Sequence, residues 1–309
     1  MNTDIYTAID QQNQTSNATE PTDTTSEYDK EQYAAKKKAE RDDAYARIDK
    51  ATERVNLDPV AFRDLLDLMA RLPRYSVANA LLIFDQKPDS TKLADFDTWK
   101  RNGASIKRGE SAMAILEPGD EYTREDGSIG VSINVKKVFD ESQTSARHLV
   151  PRYPDIKELL LALIESALVA IQTVDSLPEG TGFATYDNDN QTISVLTGLN
   201  EDELFKALAT ELAHAVIADA DDFYNREDNH ETAQLAAYAI LGRYGVDNSS
   251  LMPVLSESFT VADPSEVRGE LTRIRDTAKA VSDSMDRTLE SNRAKTTDNQ
   301  RASGDRDGR

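Results

Sequence analysis

The chain has 309 residues, a net charge of −20 at neutral pH and a hydrophobic fraction of 39%. This length predicts one large domain or two of medium size, with polar segments outside the core. Cysteine is absent, which excludes disulfides, cysteine-ligated zinc and iron–sulfur clusters. The chain has three histidines, so a metal site could contain at most three histidine ligands. No signal peptide or membrane-spanning run is visible, so we expect a cytoplasmic protein.

The negative charge is concentrated in the second half of the chain. Residues 153–263 hold four basic residues against twenty acidic ones, whereas residues 91–152 hold ten of each. The neutral first half is compatible with nucleic-acid binding, because binding depends on local cationic surface rather than on overall charge. The acidic half suits an ordinary solvated surface or, alternatively, an imitation of the DNA phosphate backbone that occupies a DNA-binding protein such as a restriction enzyme or a repressor.

Composition and helix signals divide the chain into globular and extended parts. Polar ends with few large apolar residues predict disordered tails, and charged, helix-favouring runs predict solvated helices beside them. We expect six segments in order: a disordered tail at 1–27, a charged helix at 28–56, a first domain at 57–150, a second domain at 151–258, a charged helix at 259–292 and a disordered tail at 293–309.

The first domain is predicted to be α+β. Its helix boundaries are marked by N-cap, proline and glycine signals at Asp58-Pro59, Leu72-Pro73, Ser76 and Asn102-Gly103. A short helix at 95–101 carries Trp99, the only tryptophan. Strands are predicted at 112–116 and 129–139, and alternation in the second directs Val131, Ile133 and Val135 inward.

The second domain is predicted to be rich in helices, with a small antiparallel sheet. An apolar helix is expected from Pro154 to about Val174. Short strands at 180–186 and 192–196 follow, joined by a polar hairpin turn. The order is completed by a helix at 200–217, an acidic loop at 219–228 and a helix at 231–244.

The most informative stretch is Thr210-Glu211-Leu212-Ala213-His214, inside the predicted helix at 200–217. Zinc peptidases carry H-E-x-x-H on such a helix, where the two histidines bind zinc and the glutamate is the general base. Glu211 and His214 fit this pattern, but Thr210 replaces the first histidine. A neutral hydroxyl is a poor substitute for imidazole at zinc, so Glu211 is interpreted as a vestigial general base.

Two groups of sequence blocks occur in a recognisable order. The first consists of Tyr75-Ser76-Val77-Ala78-Asn79-Ala80-Leu81-Leu82-Ile83, Phe96-x-x-Trp99, Ile106-Lys107-Arg108-Gly109-Glu110-Ser111 and Val138-Phe139-Asp140-x-x-Gln143-Thr144. The second consists of Leu204-Phe205-Lys206 through Thr210-Glu211-Leu212-Ala213-His214, Ala233-Gln234-x-x-Ala237-Tyr238 and Tyr244-Gly245-Val246-Asp247. Over about 59–250 the chain resembles the ArdC-type antirestriction proteins, which are carried by conjugative plasmids and integrative elements.

The resemblance implies an N-terminal domain that binds single-stranded DNA, followed by a zincin-like metallopeptidase domain. Single-strand binding needs cations for phosphates and aromatic faces for bases. The candidates are Arg74, Tyr75, Trp99, Lys100, Arg101, Lys107, Arg108, Lys136 and Lys137. Trp99 suits a core anchor as well as a stacking residue, and only one of the adjacent Lys136 and Lys137 is expected on the binding face.

The resemblance also implies a third metal ligand from the helix after the acidic loop. The family places a glutamate there, where this chain has Gln234, with His230 and Glu231 nearby. Three interpretations stay open: a metal-free pseudo-peptidase, a rearranged zinc site formed by His214, His230 and Glu231, and an active peptidase. In each, the strand at 192–196 would be the edge strand that holds an extended polypeptide.

Overall fold

The computed structural model describes residues 24–124, 126–147 and 152–304, which form an α+β fold with two small sheets. The helices are α1 (Thr24–Leu57), α2 (Pro59–Arg71), α3 (Val77–Gln86), α4 (Phe96–Arg101), α5 (Ile156–Glu165), α6 (Glu201–Ala220), α7 (Arg226–Tyr244), α8 (Glu257–Val261) and α9 (Pro264–Gly304). The strands are β1 (Leu93–Ala94), β2 (Met113–Thr123), β3 (Ile129–Asp140), β4 (Ala170–Val174), β5 (Ala184–Asp187) and β6 (Thr192–Leu196).

The N-cap signals predicted in the first half are confirmed by their hydrogen bonds. The Asp58 carboxylate accepts from the Val60 amide at the start of α2, and the Ser76 hydroxyl accepts from the Asn79 amide at the start of α3. The end predicted at Asn102-Gly103 is also present, with Gly103 at a φ of 76°. Local side chains therefore determine where these helices begin and end.

The first sheet has the strand order β1-β3-β2, with antiparallel neighbours. The hairpin of β2 and β3 is buried at its base, around Val135 and Val138, and solvent-exposed at its far end, around Ile129 and Val131. The prediction that Val131 points inward is wrong, because this hairpin is longer than the core that covers it. The alternation of apolar residues identifies a strand, but it does not show how much of the strand the core covers.

The second sheet has the order β4-β6-β5 and is mixed, because β6 pairs parallel with β4 and antiparallel with β5. The predicted antiparallel sheet and the predicted edge position of Thr192–Leu196 are both wrong: β6 is the central strand and has partners on both sides. The predicted helix from 154 to 174 is likewise shorter, since it ends at Glu165 and residues 170–174 form β4. An apolar run alone does not distinguish a buried helix from a strand.

The ends of the described chain are helical further than predicted. Helix α1 already includes residues 24–27 of the predicted tail, and the other tail residues lie outside the described part. Helix α9 continues through residues 293–304 of the predicted C-terminal tail, and the predicted helix at 259–292 is divided between α8 and α9. No described helix is long and apolar enough to cross a membrane.

Two hydrophobic cores lie side by side. The first is formed by α1, α2, α3 and the hairpin base, together with Leu235 of α7 and Leu271 of α9. The second is formed by α5, β5, β6 and α6, together with Ala236 of α7 and Met285 of α9. Because α7 and α9 contribute to both cores, the division into two domains is not confirmed, and its boundary near residue 150 lies outside the described residues.

Candidate functional site

Helix α6 carries Thr210, Glu211 and His214 into the interior, and all three are buried. The helix starts with a capping box, in which the Asn200 side chain accepts from the Glu203 amide and the Glu203 carboxylate accepts from the Asn200 amide. Helix α7 packs alongside α6 and brings Arg226 and His230 to the same face. The geometry of this helix pair decides what the peptidase-like motif can do.

Glu211 forms a bidentate ion pair with Arg226, the first residue of α7. The guanidinium donates from Nη1 to Oε2 at 2.7 Å and from Nη2 to Oε1 at 2.8 Å. The backbone amide of Tyr186 on β5 also donates to Oε2 at 2.7 Å. The ion pair raises the pKa of Arg226, chiefly through the hydrogen bond to Glu211. Both carboxylate oxygens are therefore engaged by donors and are not positioned to accept a proton from water.

His214 lies between Tyr224 and His230. The Tyr224 hydroxyl is 2.9 Å from Nδ1 of His214, and Nε2 of His214 is 3.1 Å from Nδ1 of His230. Burial raises the pKa of Tyr224 to about 12, so its hydroxyl keeps a proton to donate. The consistent assignment is Tyr224 O–H to His214 Nδ1, then His214 Nε2–H to His230 Nδ1. Burial, then the charges of Arg226 and His230, lower the pKa of His214 to about 3.

The family resemblance implies a metal here, but the residues present do not fit one. The Thr210 hydroxyl donates to the carbonyl of Lys206 at 3.0 Å, and both nitrogens of His214 are used in hydrogen bonds. A fixed guanidinium on Glu211 adds positive charge where a dication would have to bind. Among the residues that the structure describes, no group of three or more histidine or carboxylate side chains could hold a metal ion.

Glu231, a predicted ligand of the rearranged site, is not brought to His214. It lines a separate cavity with Glu270 and Arg273. The groove over the motif has a volume of about 610 Å³ and is lined by Thr210, Glu211, Arg226, His230 and Gln234 among others. The structure thus brings together two of the three predicted ligands, His214 and His230, but not Glu231. At the position where the family has a glutamate, the groove is lined by the amide of Gln234.

Four of the predicted nucleic-acid-binding residues make their main contacts within the protein itself. Trp99 is 2% exposed, and its Nε1 donates to the carbonyl of Phe139 at 2.9 Å, so it anchors α4 in the core. The guanidinium of Arg74 donates to the Leu93 carbonyl and lies over the ring of Tyr75, 4.9 Å from its centroid. Lys136 pairs with Glu117 and Asp95, which raise its pKa.

The other five predicted residues are exposed: Lys100, Arg101, Lys107, Arg108 and Lys137. Arg101 donates to the Thr98 hydroxyl, and Lys107 donates to the carbonyl of Ser142. None of the five forms a salt bridge with a carboxylate in the described part of the chain. Their charges are available to an external anion, unlike that of Lys136.

Sequence reasoning missed Arg226 and Tyr224, which complete the site. Neither belongs to the peptidase pattern, and each meets its partner only after the chain reverses between α6 and α7. One signal was present: Arg226 is among only four basic residues in the strongly acidic stretch 153–263. An isolated cation in such a segment is a candidate for a buried ion pair.

Comparison with solved structures finds chains that are similar to this one. The chain is similar to the metal-free crystal structure of the antirestriction ArdC protein from the R388 plasmid, with 17% identity, a TM-score of 0.47 and coverage of 69% of this chain and 86% of that one. For the Mn(II)-bound structure of the same protein the identity is 15%, the TM-score 0.45 and the coverage 68% and 85%. No family model and no curated protein matches the chain.

Proposed function

We propose that this chain binds single-stranded DNA through the first half of the molecule and uses the second half as a scaffold without peptidase chemistry. The observation that carries the proposal is the set of exposed cations between residues 92 and 137 that have no carboxylate partner in the described structure. These are Lys92, Lys100, Arg101, Lys107, Arg108, Arg124 and Lys137.

Unpaired cations favour a polyanion because binding then releases counterions without first breaking an internal ion pair. Residues 153–263 offer no equivalent surface, since they hold only four cations and three of these are paired with carboxylates. Arg226 is held by Glu211, Arg243 by Asp286, and Lys157 by Glu201, while Lys206 donates to the Ser250 hydroxyl. The DNA-binding surface is therefore assigned to the first half, on the same molecule as a large acidic surface.

The proposed absence of peptidase activity is supported by the Arg226–Glu211 pair. A zincin needs a carboxylate free to take a proton from a metal-bound water and three ligands around the metal. Here the carboxylate is saturated by donors and one ligand position carries a threonine hydroxyl bound to a carbonyl. The same interactions stabilise the junction between α6, α7 and β5, which is a structural role.

The biological setting is proposed from the family resemblance. A protein of this kind would protect or escort the incoming DNA of a mobile genetic element, in keeping with the antirestriction role named for the R388 protein. Inhibition of a restriction enzyme by DNA mimicry stays an alternative prediction for the acidic half. Local uses account for part of that acidity, because Asp155, Asp187 and Asp247 accept backbone hydrogen bonds in caps and turns.

The test is a fluorescence-anisotropy titration of the full chain with a labelled oligo(dT) of about 20 nucleotides at about 50 and 200 mM salt. The full chain is required because α7 and α9 complete the first core. We expect salt-sensitive binding that weakens in Arg108→Gln and in Lys137→Gln. Each variant should also reduce the salt slope by about one, because it has one fewer cation to place against a phosphate.

The matched control is Lys50→Gln, which removes an exposed lysine of α1 and changes the net charge equally. This variant should bind as the wild type does. Absence of binding by the wild type at low salt would refute the proposed function. An equally weakened affinity in Lys50→Gln would show that overall charge, not this surface, determines affinity.

A further inference from the structure

Sequence-tolerant binding of single strands requires an aromatic face that is open to a base. Of the two aromatic residues first considered for this role, Trp99 is buried, and Tyr75 is half-buried with the Arg74 guanidinium over one face of its ring. Within the described residues of 57–147, the exposed large aromatics are Phe96 and Tyr122. Within this segment, Phe96 and Tyr122 are therefore the two candidates for stacking against a base.

Phe96 is the first residue of α4 and is 54% exposed. The short helix is fixed without it: Asp95 caps the Thr98 amide at 2.7 Å, and Trp99 anchors the other side through the carbonyl of Phe139. Because Trp99 takes the inward position of α4, the Phe96 ring contributes little to the core. A single exposed apolar side chain is common on protein surfaces, so exposure alone does not assign a role to Phe96. The charges beside it provide the further evidence.

Two cations lie close to α4. Lys100 lies four residues after Phe96, on the same face of the helix, and is exposed. The ammonium of Lys92 lies 5.8 Å from the centroid of the ring of Trp99, which belongs to α4. Neither lysine forms a salt bridge in the described part of the chain. Of the carboxylates beside them, Asp95 is neutralised by Lys136 at 3.3 Å, whereas Asp97 is exposed.

Tyr122 differs from Phe96 in the accessibility of its ring and in the charge of its neighbours. Its ring lies against Gly130 across the hairpin, where an added Cβ would come within 2.7 Å of the ring. Its neighbours Asp120 and Glu121 are acidic. One face of Tyr122 is therefore covered by backbone, and the surroundings repel phosphate.

We propose that Phe96 is the base-stacking residue of this protein and that Lys92 and Lys100 bind the phosphates on either side of the stacked nucleotide. The inference rests on the proposed single-strand binding and adds to it a specific contact. The occupant is single-stranded rather than duplex DNA, because a base can reach an exposed ring only when it is unpaired.

The experiment compares full-chain variants in the same anisotropy titration with labelled oligo(dT). Alanine at a stacking position weakens binding by roughly 5- to 150-fold, so Phe96→Ala should fall in that range. Phe96→Leu should weaken binding nearly as much, because leucine keeps apolar bulk but has no π-face, while Phe96→Trp should bind at least as tightly as the wild type. Tyr122→Ala is the control and should stay within about twofold of the wild type.

Salt dependence separates stacking from charge. Lys92→Gln and Lys100→Gln should each reduce the salt slope by about one, whereas Phe96→Ala should lower affinity at an unchanged slope. Wild-type affinity in Phe96→Ala, or in Phe96→Leu, would overturn the stacking role and leave the proposed function standing. Absence of binding by the wild type itself would overturn both. Circular dichroism of each variant verifies the fold.

Discussion

Removing the guanidinium of Arg226 is expected to destabilise the protein strongly. In the wild type, Arg226 supplies two of the three donors to Glu211, whose side chain is only 5% exposed. Removing one partner of a buried ion pair costs about 3–5 kcal/mol, because the other charge stays buried and unpaired. The Arg226 side chain is 29% exposed, so water can partly solvate Glu211 in the variant. We therefore expect Arg226→Ala to lower the free energy of unfolding by about 2–3 kcal/mol.

The double variant Glu211→Gln with Arg226→Ala should recover part of this stability. The glutamine oxygen can still accept the Tyr186 amide, and no unpaired charge remains. A recovery of about 1–2 kcal/mol relative to Arg226→Ala is expected from urea denaturation followed by circular dichroism.

The control is Arg268→Ala, because Arg268 has a similar exposure, 32%, but pairs with an Asp49 that is 63% exposed. This pair should contribute about 0–1 kcal/mol. A destabilisation below about 0.5 kcal/mol in Arg226→Ala, or no recovery in the double variant, would refute the view that this pair stabilises the α6–α7 junction.

Two further predictions concern the same helix pair, and a third concerns Trp99 on α4. Thr210→His combined with Arg226→Ala should create zinc binding measurable by calorimetry, since a third imidazole joins His214 and His230 while the competing cation is removed; Thr210→His alone should bind far more weakly. Because the folded pKa of His214, about 3, lies below its ordinary value of 6.5, the unfolded chain binds the extra proton first, so stability should fall as the pH drops from about 6.5 towards 3. His214→Gln should flatten that slope, and an unchanged slope would contradict the assignment. Trp99, the only tryptophan, should show blue-shifted emission and weak acrylamide quenching, because it is 2% exposed.

Features encoded by neighbouring residues were predictable from the sequence. The caps at Asp58 and Ser76 and the stop at Gly103 depend on side chains within a few residues of the helix end. The helix that carries Glu211 and His214 was likewise evident from its pattern. These features require no knowledge of what packs against them.

Features that depend on distant pairing were not predictable. The central place of β6 is determined by β4, whose residues 170–174 follow an apolar helix after four residues and continue its apolar character. The exposure of Val131 depends on where the core ends, and the burial of Trp99 on α4 depends on the Phe139 carbonyl of strand β3. Arg226 contacts Glu211 only because the chain reverses between α6 and α7. No local sequence pattern therefore predicts the ion pair in the peptidase-like site.

The central claim is that the motif at 210–214 is a metal-free structural site, and the metal content of the purified protein tests it most directly. The full chain is prepared without chelators, as wild type and as His214→Ala, and analysed by elemental mass spectrometry. We predict far less than one equivalent of zinc or manganese per chain, with no difference between the two proteins. One equivalent of metal in the wild type that is absent from His214→Ala would contradict this account.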